Sequence, residues 1–441
     1  MNSLSNFMKS SIKRFENKKL LILAGQDVHR KMVEAAKDLG CYTIVADYLV
    51  DSSAKKIADE SSMISIVDVD GIVEFCKKKK VDGVVNCCND LASRIVQQVN
   101  EKMKWPNIGT WEQVETMTNK GLFKKLCLNN NVDVVEEYDE DDLKKGTIKF
   151  PVLVKPIDSR GSRGSTICDN LSELEFAVSK AKEASSSGRI LIERYMGGHQ
   201  ELSITYLVID GVPHLISVGD RHSGRREDNV DKILSCMIQP SWSIDLYLKN
   251  VDAKVKNMLI KLGLKNTAVF MQGFVDGETV RMFDPAIRFP GNEYERAFTK
   301  ANGFNPMDSI ISYALNGKMD DFDGRYEGSY NLKGKVAVQY MINCRPGTIS
   351  KFIGIKEIEH HPRVVYVGYK YDVGATITNT GDTNHRVFDI TFVVDRNEKS
   401  VNEVVDFVNE KLRVLDKNGD DMIVSKFDFR KVYSRYDWPK E

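Results

Sequence analysis

Apolar and polar positions along the chain fall into distinct textures. From Lys18 to about Gly109, short apolar runs (LLILAG, YTIVAD, MISIVD, DGVVNCC) alternate with helix-like stretches at about 28–40, 51–60 and 70–80. Strands spaced by helices predict a parallel sheet with right-handed crossovers. A helix is expected at about 111–130, where EQVETMTNKGLFKKLCLNN gathers leucine, phenylalanine and methionine on one face. Strands then dominate: PVLVKP, a single helix LSELEFAVSKAKEA, RILIERYMGG, QELSITYLVIDG and PHLISVG predict a compact α+β unit. Asp210-Gly211 and Asp276-Gly277 stand between apolar runs as hairpin turns. After about 350, RVVYVGYKY, RVFDITFVVD, a helix VNEVVDFVNEKLRVL and MIVSKF suit a small appended α+β domain. The class is α/β combined with α+β, in three segments: 1–112, 113–350 and 351–441.

Charge narrows the partners. Lysine plus arginine total 63 and aspartate plus glutamate total 63, so no net field draws the chain to nucleic acid or an anionic membrane. The longest apolar runs fall far short of the roughly 20 residues of a membrane span. The N-terminal stretch scatters Leu4, Phe7, Met8, Ile12 and Phe15 without the continuous apolar core of a signal peptide. Eight cysteines make no CxxC pair and no zinc spacing with the seven histidines, which fits reduced thiols in a cytoplasmic protein. AGQDVHR supplies one glycine where a dinucleotide fingerprint needs three.

The chemistry concentrates around PVLVKPIDSRGSRGS, residues 151–165. Lys155 ends an apolar strand, where an ammonium group needs a negative partner. Ser159, Arg160, Gly161, Ser162, Gly164 and Ser165 follow as a flap whose amides can curl round phosphate oxygens. The GxxxxGK[ST] pattern is absent, and TICDN reads as another strand, so this is no P-loop. RILIERY carries Glu193, the backbone flanking Tyr195 and Met196 can bond an adenine edge, and Glu201 can accept ribose hydroxyls. Gln272 and Asp284 fall on one face of adjacent strands, an oxygen pair suited to magnesium. Arg288 follows four residues later. GDRHSGRRE (219–227) gathers Arg221, His222, Arg225 and Arg226 either as a carboxylate clamp or as a solvated loop, and Arg345 in NCRPG is a second carboxylate candidate.

Together these motifs resemble the ATP-grasp superfamily. PVLVKPIDSRGSRGS is similar to its lysine strand and phosphate flap, LIERYMGGHQE to its adenine hinge and ribose carboxylate, FMQGFVDGETVRMFDPAIR to its metal hairpin, and TNKGLFKKL to the helix whose Lys120 reaches phosphates. The resemblance runs from about 18 to 350, and CRPGTISKFIGIKEI onward resembles the C-terminal domain of carboxylate-amine ligases, including L-amino-acid ligases, and of carbamoyl-phosphate-synthetase-like relatives. It implies a Rossmann-like N-terminal domain, a mobile lid at about 147–212, a central antiparallel sheet and a small C-terminal domain. It also implies ATP with magnesium or manganese. Lys155 and Lys120 would hold phosphates, Gln272 and Asp284 the metal, and Arg288 the developing charge. Asp284 stands for the usual glutamate and Ala286 for the usual asparagine, which leaves the number of metal ions open. The implied activity is an ATP-dependent carboxylate-amine ligase working through an acyl phosphate, with an amino acid as one substrate and dimerisation a family-level expectation. Two alternatives stay open: formation of carboxyphosphate or carbamoyl phosphate, and nucleotide binding without turnover.

Overall fold

Alternating strands and helices in the first hundred residues build a parallel sheet. Strands β1 (Lys19–Leu23), β2 (Tyr42–Ala46), β3 (Glu60–Ser62) and β4 (Gly83–Val85) lie in the order β3-β2-β1-β4, every neighbouring pair parallel. Helices α1 (Arg30–Asp38), α2 (Val69–Lys79) and α3 (Asp90–Met103) accompany them. The computed structural model describes residues 14–157, 164–226, 229–319, 324–378, 385–424, 426–436 and 438.

Two expectations in this part are corrected. The third strand is Glu60–Ser62, not MISIVD, and 51–60 holds only a short helical turn at Lys55–Ile57. Asp59 is the reason: its carboxylate accepts from the amide and hydroxyl of Thr43, both at 2.8 Å, and so pins the following residues beside β2. The helix expected over 111–130 is two helices, α4 (Trp111–Thr116) and α5 (Lys120–Asn129). Thr110 and Gln113 form a capping box for α4. Asn119 then accepts from Gly121 N (3.0 Å) and Leu122 N (3.2 Å), which starts a new helix and places Lys120 in its first turn.

The next unit contains β5 (Glu137–Tyr138), α6 (Glu140–Lys145), β6 (Val152–Pro156), β7 (Thr166–Cys168), α7 (Leu171–Ala184) and β8 (Ile190–Arg194). Its four strands form an antiparallel sheet in the order β5-β8-β6-β7. One apolar face of α7, Leu174, Ala177 and Ala181, packs on Val152, Val154 and Cys168.

The central sheet starts with β9 (Glu201–Ile209), β10 (Val212–Arg226) and β11 (Asn229–Gln239). Helices α8 (Ile244–Tyr247) and α9 (Ala253–Leu262) lead to β12 (Thr267–Asp276) and β13 (Thr279–Ala286), and α10 (Tyr294–Asn302) and α11 (Pro306–Asn316) lead to β14 (Lys335–Asn343). Asp210 (φ 48°) and Gly211 (φ 85°) make the β9–β10 turn expected from their sequence. The chain then gives β15 (Gly347–Ile353), α12 (Ile355–Glu359), β16 (Val364–Tyr369), β17 (Thr376–Ile377), β18 (Arg386–Asp395), α13 (Glu398–Lys411) and β19 (Arg413–Asp416).

The central sheet has eight antiparallel strands in the order β13-β12-β9-β10-β11-β14-β18-β16. Two strands expected in a separate appended domain, β16 and β18, therefore extend it; only β17-β15-β19 form a sheet apart. The buried apolar faces of β14 and β18 share one core with α13. Phe392, fully buried on β18, faces Val338 on β14 and Val364 on β16 across the ladder. Phe392→Ala is expected to lower stability by about 3–5 kcal/mol, read as an earlier midpoint in chemical denaturation.

Candidate active site

Lys155 is tolerated near the end of β6 because a carboxylate waits on the neighbouring strand. Register pairs Leu153 with Glu193 and Lys155 with Leu191, so Lys155 and Glu193 are diagonal neighbours on one face. The Lys155 ammonium bonds one oxygen of Glu193, and Lys124, on α5, lies 3.5 Å from the other. Lys124 also bonds Glu137 on β5. Glu193, 6% exposed, is thus held between two ammonium groups and not offered as an open ligand.

A second cluster lies where β12 and β13 meet β9. Gln272 and Asp284 are direct ladder partners. Gln272 Nε2 donates to Glu201 Oε1 at 2.9 Å, and Lys120 Nζ lies 3.2 Å from Asp284 Oδ1. Arg221 Nε approaches the same Glu201 oxygen to 2.6 Å, an ion pair by distance whose N–H is angled away from hydrogen-bond alignment. The structure thus brings Lys120, Glu201, Gln272 and Asp284 together at one end of three strands.

Other candidate residues are engaged differently from expectation. Residues 219–226 are not a loop but the end of β10, with Arg221 in register with Glu201; charge pairing across the ladder replaces the open clamp. Arg225 and Arg226 continue that strand. Arg288 is clamped by Asp90 in the first turn of α3, with Nε at 2.6 Å and Nη2 at 2.9 Å, while Nη1 donates to the Phe289 carbonyl at 3.0 Å. Counting partners among the described residues, two of its five N–H donors remain for an anion. Arg345 is drawn off to Asp416 at the end of β19, at 2.7 Å, where a carboxylate of the chain takes the place of a substrate's.

On the hinge, the Tyr195 amide donates to the Pro151 carbonyl at 3.0 Å, so an adenine edge would use other groups there; Met196 is buried. Ser159, Arg160, Gly161 and Ser162 lie outside the described residues. Gly164 has φ 78°, and a Cβ there would come within 2.4 Å of the Ala184 Cβ, so glycine is required where the segment re-enters β7 beside buried Ser165.

Asp276, at the tip of the β12–β13 hairpin, ties this sheet to the β5–β8 unit. Arg281 Nε donates to it at 2.5 Å, and Arg194 Nη1, from the end of β8, at 2.8 Å. The Arg281 hydrogen bond, with Arg194 adding to it, holds the carboxyl down to about 2 against its desolvation.

Comparison with known proteins gives this geometry its context. Residues 122–243 match the family described as carbamoyl-phosphate synthase L chain, ATP binding domain. The chain is 24% identical over 272 residues to a formate-dependent phosphoribosylglycinamide formyltransferase of Prochlorococcus marinus (strain NATL1A), covering 60% of this chain and 68% of that one. Among solved structures, an L-amino acid ligase from Bacillus licheniformis superposes with a TM-score of 0.73 at 17% identity, covering 91% of this chain and 100% of that one. The biotin carboxylase domain of the Hydrogenobacter thermophilus 2-oxoglutarate carboxylase, in complex with MgADP, gives 0.72 at 18%, covering 96% and 99%. The chain has an ATP-grasp fold.

Within that fold, two oxygen-bearing side chains of the β12–β13 hairpin could face a divalent cation. Asp284 could supply a carboxylate and Gln272 an amide oxygen, and an ammonium group from Lys120 sits against Asp284. Two groups escaped sequence reasoning. Lys124 lies one turn after Lys120, a spacing that puts both on one helix face. Asp90 precedes its partner Arg288 by 198 residues and gave no local signal.

Glu193→Ala would leave two largely buried ammonium groups facing each other, so stability is expected to fall by about 3 kcal/mol; denaturation midpoints for Glu193→Ala and Glu193→Gln measure it, with the glutamine variant the less affected. For Asp276, a lowered folded pKa means stabilisation that is present above the unfolded value of 3.8 and lost as pH falls through about 2. Melting temperature should therefore drop less steeply between these two values in Asp276→Asn than in the parent.

Proposed function

We propose that this chain is an ATP-dependent, ADP-forming ligase that joins a carboxylate to an amine through an acyl phosphate, with an amino acid as one substrate. The observation that carries the proposal is the convergence of Lys120, Glu201, Gln272 and Asp284 at one end of the central sheet, next to a β5–β8 unit that carries Lys155. Phosphoryl transfer needs positioning and charge neutralisation more than a protein nucleophile. Lys120 and Lys155 neutralise phosphate oxygens. Glu201 accepts from the ribose. Asp284 and Gln272 would hold magnesium, whose charge would add to the neutralisation of the phosphates. Arg288, fixed by Asp90, turns its remaining N–H groups to the acyl oxyanion. Flap residues 159–165 exclude water from the acyl phosphate.

In this reading, 1–112 is a Rossmann-like N-terminal domain, 113–350 the ATP-grasp domain and 351–441 a C-terminal domain. A cytoplasmic location and a homodimer belong to it as well. Among the described residues, no helix is long and apolar enough to cross a membrane. Ala286, buried on β13 where the resemblance expects asparagine, favours a second reading: nucleotide binding without turnover.

Phosphate release from ATP, screened over amino acids and small acids with bicarbonate as control, separates these. Release that needs both a carboxylate and an amine is expected. Dependence on bicarbonate alone would move the assignment to carboxyphosphate chemistry, and ATP binding without release would establish the second reading. Asp284→Asn is expected to lower the turnover rate by at least about a hundredfold with an unchanged melting temperature; full activity would remove Asp284 from the metal role.

A further inference from the structure

The last described residues of the chain do not trail into solvent. Tyr436 is buried, its ring against Phe429 (centroids 5.3 Å apart) and Trp438 (4.7 Å). Its hydroxyl donates to Asp220 Oδ2 at 2.8 Å and stands 2.9 Å from His222 Nε2. Burial pushes His222 down to about 3, so the ring is neutral at physiological pH. A tyrosine hydroxyl has one proton, which goes to Asp220, so the His222 Nε2–H is the donor in the second bond. Asp220 is fully buried and also accepts from Ser241 Oγ (2.6 Å) and Trp242 N (2.8 Å).

Asp220 and His222 flank Arg221. Side chains alternate along a strand, so gripping both of these on one face of β10 aims Arg221 at the other, where it meets Glu201. A second grip acts at the same rung. Arg435 Nη1 donates to Gln200 Oε1 at 3.3 Å, and Gln200 Nε2 donates to the carbonyls of Glu201 (2.9 Å) and Arg221 (3.1 Å). Arg221 and Glu201 are ladder partners, so Gln200 staples the backbone at the pair whose side chains meet.

We propose that the C-terminal segment 427–436 is a positioning element of the candidate active site, in which Tyr436 and Arg435 hold Arg221 against Glu201 and so set the carboxylate that receives the nucleotide. This deepens the proposed function and rests on its assignment of an ATP site. Tyr436 and Arg435 touch no substrate; they act through Asp220, His222 and Gln200. The purpose is orientation. Glu201 accepts from Gln272 on one side and is approached by Arg221 on the other, and without the second restraint its oxygens would turn away from a ribose edge.

Calorimetric titration of the full chain with a non-hydrolysable ATP analogue and magnesium tests this. Tyr436→Phe keeps the ring and loses only the hydroxyl, and is expected to bind about five- to tenfold more weakly than the parent. In an Arg221→Ala background the same change should matter less than about twofold, because there is no guanidinium left to aim. A general loosening of structure would multiply affinity by the same factor in both backgrounds, and that result would overturn the proposal, as would unchanged affinity in Tyr436→Phe. Arg435 is exposed, so Arg435→Ala should fold even where Tyr436→Phe does not; it is expected to weaken binding about two- to threefold, again only with Arg221 present. Absence of nucleotide binding by the parent chain is a separate result, which would overturn the ATP site itself and the proposal with it.

Discussion

The carboxylate of Glu201 is the point on which the candidate site turns. It opens β9, the strand that pairs with β10 on one side and β12 on the other. Because both neighbours are antiparallel and in fixed register, Arg221 and Gln272 arrive at Glu201 from opposite sides. Gln272 in turn fixes Asp284 as its partner on β13. A slip of one residue in any of these three pairings would send the side chain to the opposite face of the sheet. Hydrogen-bonded register, set by apolar residues such as Ile204, Tyr206 and Met271 deep in the core, thereby determines which polar groups meet at the surface.

The second cluster follows a different logic. Lys155, Lys124, Glu193 and Glu137 come from β6, α5, β8 and β5, so the ion network crosses from the α4–α5 region into the four-stranded unit. Removing one charge from such a group costs more than the intact pairing contributes, because the remaining charges lose their solvent and their partner together. The arrangement therefore favours a single relative placement of α5 and β8. Asp276, bonded by Arg194 and Arg281, adds a second tether between the same unit and the central sheet. Both tethers fix the four-stranded unit against its neighbours.

Much of this was legible in the sequence, and what was not has physical causes. Alternation and Asp-Gly turns revealed β9, β10, β12 and β13, because these signals act over a few residues. The one-face placement of Gln272 and Asp284 followed from the same periodicity. Helix α5 was hidden because a continuous apolar face ran through 111–130 while Asn119 silently supplied a new cap. The true length of β10 was hidden because GDRHSGRRE read either as a carboxylate clamp or as a solvated loop. Asp220, Arg221 and His222 are stable in a strand only because Tyr436, Ser241 and Glu201 satisfy them, partners that lie 20 or more residues away. The addition of β16 and β18 to the central sheet is likewise a long-range pairing that no local pattern encodes.

The C-terminal segment illustrates how such distant partners link fold to chemistry. A buried aspartate beside a buried histidine is unfavourable in isolation, since burial pushes Asp220 up to about 7 and His222 down to about 3. One hydroxyl serves both: Tyr436 donates to the acceptor and accepts from the donor, so neither is left unsatisfied. The strand can then present an arginine at its open face without solvent entering behind it. An aromatic cluster of Phe429, Tyr433, Tyr436 and Trp438 keeps that hydroxyl in place. Tyr436 and Arg435 thus complete the sheet's polar interior, and segment 427–436 becomes a condition for the geometry at Glu201.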